Sequence, residues 1–228
     1  MARYGIAGLI VEMELSGRTK QQAEPYRTEK AGDADITIRF DYEKLQKSHP
    51  EMTNRDMAEY MGTGTLFAGE LLRHDGFQLH SSAIVLDGKA YLFSAPSGTG
   101  KSTHTEKWCR LYGAEILNDD KPALRHIGNT WMVYGTPWSG KHDLSQPLGV
   151  PLGGIAFLQR GEENTIRPMT AAEAVPAIIS QIPRYLPKRY MEQQLMLLDK
   201  LLSEETIWLL TCRNDDDAAR VSYEAMKK

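Results

Sequence analysis

The chain has 228 residues, 41% hydrophobic and 25% charged, with a formal net charge of −3. That length suits one sizeable domain with a core of its own, in the composition of an ordinary globular protein. Near-neutral charge gives no general attraction to nucleic acid or to an anionic membrane, and no apolar run approaches the length of a membrane span.

Along the chain, Leu9, Val11, Met13 and Leu15 alternate with Ile10, Glu12 and Glu14, a period of two that predicts a half-buried strand. Residues 16–35 are polar and read as a loop or a long hairpin end. Ile36, Ile38 and Phe40 alternate again, a second strand. In TNRDMAEYM an N-cap at Thr53 or Asn54 opens a short helix, and GTLFAGELLRHDG reads as another short helix closed by Gly76. Residues 1–76 are therefore expected to form a small β-rich segment packed on a core of residues 77–228.

From residue 77 the texture changes. FQLHSSAIVLD and GKAYLFSAP are two apolar strands joined at Asp87-Gly88, a hairpin signal. The second strand runs into a glycine-rich stretch that opens a helix near residue 101. AEILNDD is a short strand ending in two carboxylates, and KPALRHIGNTWMVYG is a hairpin turning at Gly128-Asn129. GGIAFLQRG is one more strand. Thr170 and Glu173 have capping-box spacing before a helix. Met191, Leu195, Leu198 and Leu202 mark an amphipathic helix. TIWLLTC is a last strand, and DDDAARVSYEAMKK a terminal helix with acids in its first turn. The fold class expected is α/β with a mixed sheet. The opening stretch is too short in its apolar run, and too acidic after it, for a secretory signal. Cys109 and Cys212 lie far apart without metal-ligand spacing and read as reduced thiols of a cytoplasmic protein.

The stretch FSAPSGTGKST carries the chemistry. A phosphate-binding loop needs inward backbone N–H groups, a helix N-terminus behind them and a lysine reaching the outer phosphates. Ser97, Gly98, Thr99 and Gly100 supply the tight turn, Lys101 the cation, Ser102 the Mg²⁺-binding hydroxyl, and Thr103 continues into the helix. Ala95 stands where the pattern's first glycine is written, a place that needs a small residue but not a positive φ. Asp119 and Asp120 follow at the end of the next strand, 18 and 19 residues after Lys101. Two acids there divide into a metal ligand and a base for an incoming hydroxyl. The hairpin brings His80 opposite the region of Ala95 to Ser97, at the mouth of the same site.

LHSSAIVLDGKAYLFSAPSGTGKST followed by ILNDDKPAL resembles the catalytic core of the HPr kinase/phosphorylase family. It looks closest to the smaller HPr-kinase-like proteins found near peptide-modification genes. YGTPWSGKHDLS and PLGGIAFLQRGEENTIRPMTAAEA also resemble segments of those homologues, so the likeness spans roughly residues 77–182. It implies a phosphoenolpyruvate-carboxykinase-type P-loop core that transfers phosphate from ATP, with Mg²⁺, to a serine hydroxyl. It also implies Lys101 on phosphate, Ser102 and Asp120 on the metal, Asp119 as base, and His80 positioning the reacting groups. Residues 1–76 do not resemble the separate N-terminal domain of HPr kinase, and GTPWSGKHD stands where that family's signature after the aspartates is expected. The acceptor HPr, the phosphorylase activity and the hexamer are therefore not carried over.

In the GTPWSGKHD loop, Lys141 follows a flexible Ser139-Gly140 and is a candidate to neutralise charge on the transferring phosphoryl group. Arg184, Lys188 and Arg189 form a basic cluster for an acidic substrate or a phosphate, against the plainer reading of a charged helix start. Arg160 is a weaker candidate. The reading is an ATP- and Mg²⁺-dependent kinase acting on a serine of a peptide or protein. It has no nucleic-acid or membrane partner and leaves an oligomer open. Its rivals are a nucleotide-binding sensor without transfer, a small-molecule alcohol kinase and a carboxykinase-like enzyme.

Overall fold

The computed structural model describes residues 1–183 and 188–227. Arg184 and the side chain of Arg189 lie outside the described residues. Strands β1 (Ala2–Ile6) and β2 (Leu9–Met13) form an antiparallel hairpin, and β3 (Ile36–Ile38) adds in parallel to make a three-stranded sheet. Residues 16–35, expected as loop, contain helix α1 (Gly17–Ala23). Its buried face is Thr19, Gln22 and Ala23, small and polar residues that leave no hydrophobic period in the sequence.

After α2 (Tyr42–Ser48) comes α3 (Arg55–Leu71), one 17-residue helix where two short ones were expected. Asn54 caps it by accepting from the Met57 N–H. The glycines within it are sites of close approach. A Cβ at Gly62 would lie 2.2 Å from Phe40, and one at Gly64 3.0 Å from Trp138. Residues 1–76 thus join a small sheet to three helices, and α3 packs its buried Phe67 and Leu71 with Trp138 and Ala123 of the core.

Among the described residues the main sheet has nine strands. In chain order they begin with β4 (Gly76–Gln78), β5 (Ser81–Leu86) and β6 (Lys89–Ser94), followed by helix α4 (Lys101–Tyr112) and β7 (Glu115–Asn118). The hairpin β8 (Ala123–Ile127) and β9 (Thr130–Tyr134) leads to the long β10 (Gly149–Arg160). Then come β11 (Thr165–Pro168), α5 (Ala171–Gln181), α6 (Met191–Glu204), β12 (Ile207–Cys212) and α7 (Asp216–Met226). The order is β4-β8-β9-β10-β6-β5-β7, with β12 beside β10 and β11 beside β12. β10 runs parallel to β6 and β12, whereas β5 and β7 are antiparallel, so the α/β class and the mixed sheet are as expected. The single strand expected over residues 77–87 is two. The chain leaves its pairing with β8 at Gln78 and joins β6 from Ser81.

Alternate residues of β6 serve opposite layers. Ala90 and Leu92 join the core under α5 and α6, while Tyr91 and Phe93 join the one under α4 and α7. Covered on both faces, β6 reads as a near-continuous apolar run. Its C-terminal end delivers the glycine-rich loop to a rigid place.

Candidate active site

The loop of residues 95–100 joins β6 to α4. Gly98 and Gly100 have φ of +79° and +120°, and a Cβ at either would meet nothing within 4 Å, so glycine is required there by backbone conformation alone. Ala95 is not among the described non-glycine residues with positive φ. It is fully buried with Phe93 and Trp108, so a methyl group is admissible and packs usefully where the general pattern writes glycine. Gly100 caps α4 without a side-chain hydrogen bond, and no acid occupies the first turn. The free N–H groups and positive dipole end of α4 thus face the loop, an arrangement that favours an anion.

α4 is held by its buried face, Lys101, His104, Thr105 and Trp108, at helical spacing. The Lys101 Nζ donates to the Ala95 carbonyl at 2.9 Å, inside the loop's curl. Burial lowers the Lys101 pKa, against the pull of Asp120 and Asp119. Ser97 and Thr103 are exposed beside the loop. A cleft of about 430 Å³ opens between Thr103 and Lys107 on one side and the ends of β10 and β12 on the other. Arg160, at the end of β10, donates to the Gly98 carbonyl at 2.7 Å, so this weaker candidate reaches the loop directly.

The two aspartates take different partners. Asn118, the last residue of β7, accepts from the N–H groups of Asp120 (2.9 Å) and Lys121 (2.7 Å). That side-chain turn folds the strand exit back and lets both carboxylates face the loop. Asp119 Oδ1 accepts from Ser102 Oγ at 3.0 Å and from Ser82 Oγ at 2.7 Å. Asp120 Oδ1 lies 3.4 Å from His80 Nε2, and its Oδ2 lies 2.5 Å from Lys121 Nζ. On the far side of His80, Nδ1 meets Gln181 Oε1 at 2.9 Å, which fixes Nδ1 as the donor. Burial lowers the His80 pKa, reinforced by Lys101 and opposed by Asp120 and Gln181. Burial thus opposes charge on the imidazole, while Asp120 beside Nε2 favours it.

Two neighbours of Asp120, Lys121 and Tyr60, escaped the sequence reading. Lys121 stands next to it in the chain. Burial pushes its pKa down, but Asp120 and Tyr60 overcome that and raise it. Tyr60, on α3, donates to Asp120 Oδ2 at 3.3 Å and accepts from the Gly140 N–H at 3.0 Å. Gly140 has φ +74°, and a Cβ there would lie 3.1 Å from the Asp120 Cβ. No local pattern announces Tyr60, because α3 reaches the site only through tertiary packing. Trp138 is fully buried, stacked on Phe67 at 4.8 Å and donating to Thr63 Oγ1 at 3.2 Å, which pins its loop to α3. Lys141, next on that loop, is exposed and has no partner among the described residues.

Comparison with known proteins adds little. No family model matches the chain, and no curated protein does. Among solved structures it is similar to the Hpr(Ser) kinase/phosphatase from Coxiella burnetii, at 13% identity and a TM-score of 0.38, over 66% of this chain and 99% of that one. The overlap is loose, and the loop, the carboxylates and their partners stand on their own geometry. No described helix is long and apolar enough to cross a membrane.

Proposed function

We propose that the protein is a kinase that transfers the γ-phosphoryl group of ATP to a hydroxyl, with serine on a peptide or protein as the acceptor. The observation that carries this reading is the 3.0 Å contact between Ser102 and Asp119, with Asp120 held separately against His80. A hydroxyl in the first turn of α4 and one carboxylate share one point, and a second carboxylate stands beside it with a different set of partners. Phosphoryl transfer needs that division between holding charge and accepting a proton.

A hydroxyl and a carboxylate oxygen form a hard donor pair that suits Mg²⁺, which takes one or two protein oxygens and completes its shell with water and phosphate oxygens. Ser102 and Asp119 would hold it, and the ion would neutralise charge on the β- and γ-phosphates. This reverses the aspartate roles implied by the family resemblance, because Ser102 meets Asp119 and not Asp120. Lys101 exchanges the Ala95 carbonyl for a phosphate oxygen, and the N-terminal N–H groups of α4 take the remaining charge. The 430 Å³ cleft by Lys107 and Arg160 has room for the nucleoside end.

Asp120 orients the acceptor hydroxyl, with the His80 ring 3.4 Å from its Oδ1. The hydroxyl oxygen forms its bond to the γ-phosphorus as the bond to the ADP oxygen breaks, and the hydroxyl proton passes to Asp120. Positioning and charge neutralisation supply most of the rate. Calorimetry with ATP, with and without Mg²⁺, tests the assignment. Asp119→Asn should lose the Mg²⁺-dependent part of the affinity, and Asp120→Asn should keep it while losing transfer to serine peptides. ATP binding without transfer to any acceptor would instead favour a nucleotide sensor.

A further inference from the structure

A second cleft, of about 330 Å³, lies between α3 and the core. Its floor is His80, Asp120 and Lys121, and its walls include Met61 and Gly64 of α3, Trp138 and Ile182. It opens onto the proposed base through a lining that shares no residue with the nucleoside cleft. The N-terminal part of the chain supplies one wall, and Met61 is 53% exposed there.

Gln78, at the end of β4, also lines this cleft. It is 2% exposed, and its Nε2 is turned to the Lys121 carbonyl at 3.4 Å. With the amide turned that way, Oε1 is buried with no hydrogen-bond partner among the described residues. A buried acceptor without a donor is costly, and native proteins leave few of them. An occupant of the cleft that brought an N–H group would satisfy it.

The lining thus asks three things of an occupant: a hydroxyl for Asp120, an N–H donor for Gln78, and a compact apolar group for the Met61–Trp138 wall. A simple alcohol or a sugar offers the first without the other two. A serine within a peptide carries the hydroxyl and an N–H on one residue, and a neighbouring side chain supplies the third. We propose that this cleft is the acceptor subsite and takes a serine-containing peptide segment, with a backbone N–H on Gln78 Oε1 and an adjacent apolar side chain against Met61, Trp138 and Ile182. The inference rests on the kinase reading and makes the N-terminal helix α3 the element that selects the acceptor.

The experiment uses the full chain, γ-labelled ATP, Mg²⁺ and a degenerate heptapeptide library with a central serine. Label should concentrate in peptides with Leu, Met or Phe beside the serine. With a selected peptide, Thr65→Trp, which fills the cleft from α3, should lower kcat/KM more than tenfold. Gln78→Leu should raise the peptide KM about three- to tenfold, the loss of one hydrogen bond, and more than it lowers kcat. Calorimetric ATP binding by the same samples shows that each variant is folded. Transfer without apolar preference, or untouched by both substitutions, overturns the cleft assignment and leaves the kinase reading standing. ATP binding with no label in any peptide overturns the kinase reading, and this inference with it.

Discussion

Gly140→Ala probes the site through one contact. Gly140 and Gly88 have nearly equal φ, +74° and +75°, so alanine carries the same left-handed strain at both, about 1 kcal/mol after the gain in unfolded-chain stiffness. At Gly88 a Cβ meets nothing within 4 Å, whereas at Gly140 it lies 3.1 Å from the Asp120 Cβ, and ordinary contact begins near 3.4 Å. Asp120 must give way by the difference. It cannot do so without loosening its contacts to His80, Lys121 or Tyr60. One charge-assisted hydrogen bond lost adds about 1.5–3 kcal/mol.

For a chain of 228 residues, Gly88→Ala should lower the melting temperature by about 2–4 °C and Gly140→Ala by about 5–16 °C. Differential scanning calorimetry reads the first quantity. The NMR titration midpoint of His80, whose Nε2 is 3.4 Å from Asp120, reads the second effect and should move in Gly140→Ala alone. If the two variants melt alike and the His80 midpoint stays put in both, Asp120 is not clamped between Gly140 and His80.

Lys101→Ala should abolish measurable ATP binding, whereas Ala95→Gly, at a position without positive φ, should keep it and lose only about 1 kcal/mol of stability to chain flexibility and lost packing, as followed by calorimetry and urea unfolding. Lys141→Ala should reduce transfer on the order of tenfold with ATP affinity retained, and unchanged turnover removes Lys141 from the mechanism. Burial, with help from Lys107, pushes the His104 pKa from 6.5 down to about 3. Its stabilisation is therefore complete above pH 6.5 and lost as the pH falls towards 3, because the unfolded chain takes up the proton first. The slope approaches about 1.4 kcal/mol per pH unit for this group. Urea midpoints between pH 7 and pH 5 should show it as a difference between wild type and His104→Leu, and parallel pH dependences would refute it.

The phosphate-type loop was legible in the chain because everything that makes it is local. A buried apolar strand, two glycines needed for positive φ and a helix start follow one another within about twenty residues. The hairpin at Asp87-Gly88 is local in the same way, with both turn residues at positive φ, and it sets His80 beside Ala95 by counting residues from Ser81 opposite Ser94. Where burial was achieved by polar or small residues, the pattern failed. α1 buries Thr19, Gln22 and Ala23, and α3 runs through glycines that accommodate Phe40 and Trp138.

Which aspartate meets Ser102 could not be read from the chain, because the turn made by Asn118 sets the two carboxylate directions after the strand has ended. Tyr60 and Gln78 were equally hidden. Their parts in the site depend on α3 and β4 packing against segments some forty to eighty residues away. Backbone conformation and hydrophobic period are properties of neighbouring residues, so the chain alone determined the loop and its frame. The surroundings of Asp120 depend on contacts between distant segments, which only the tertiary structure decides.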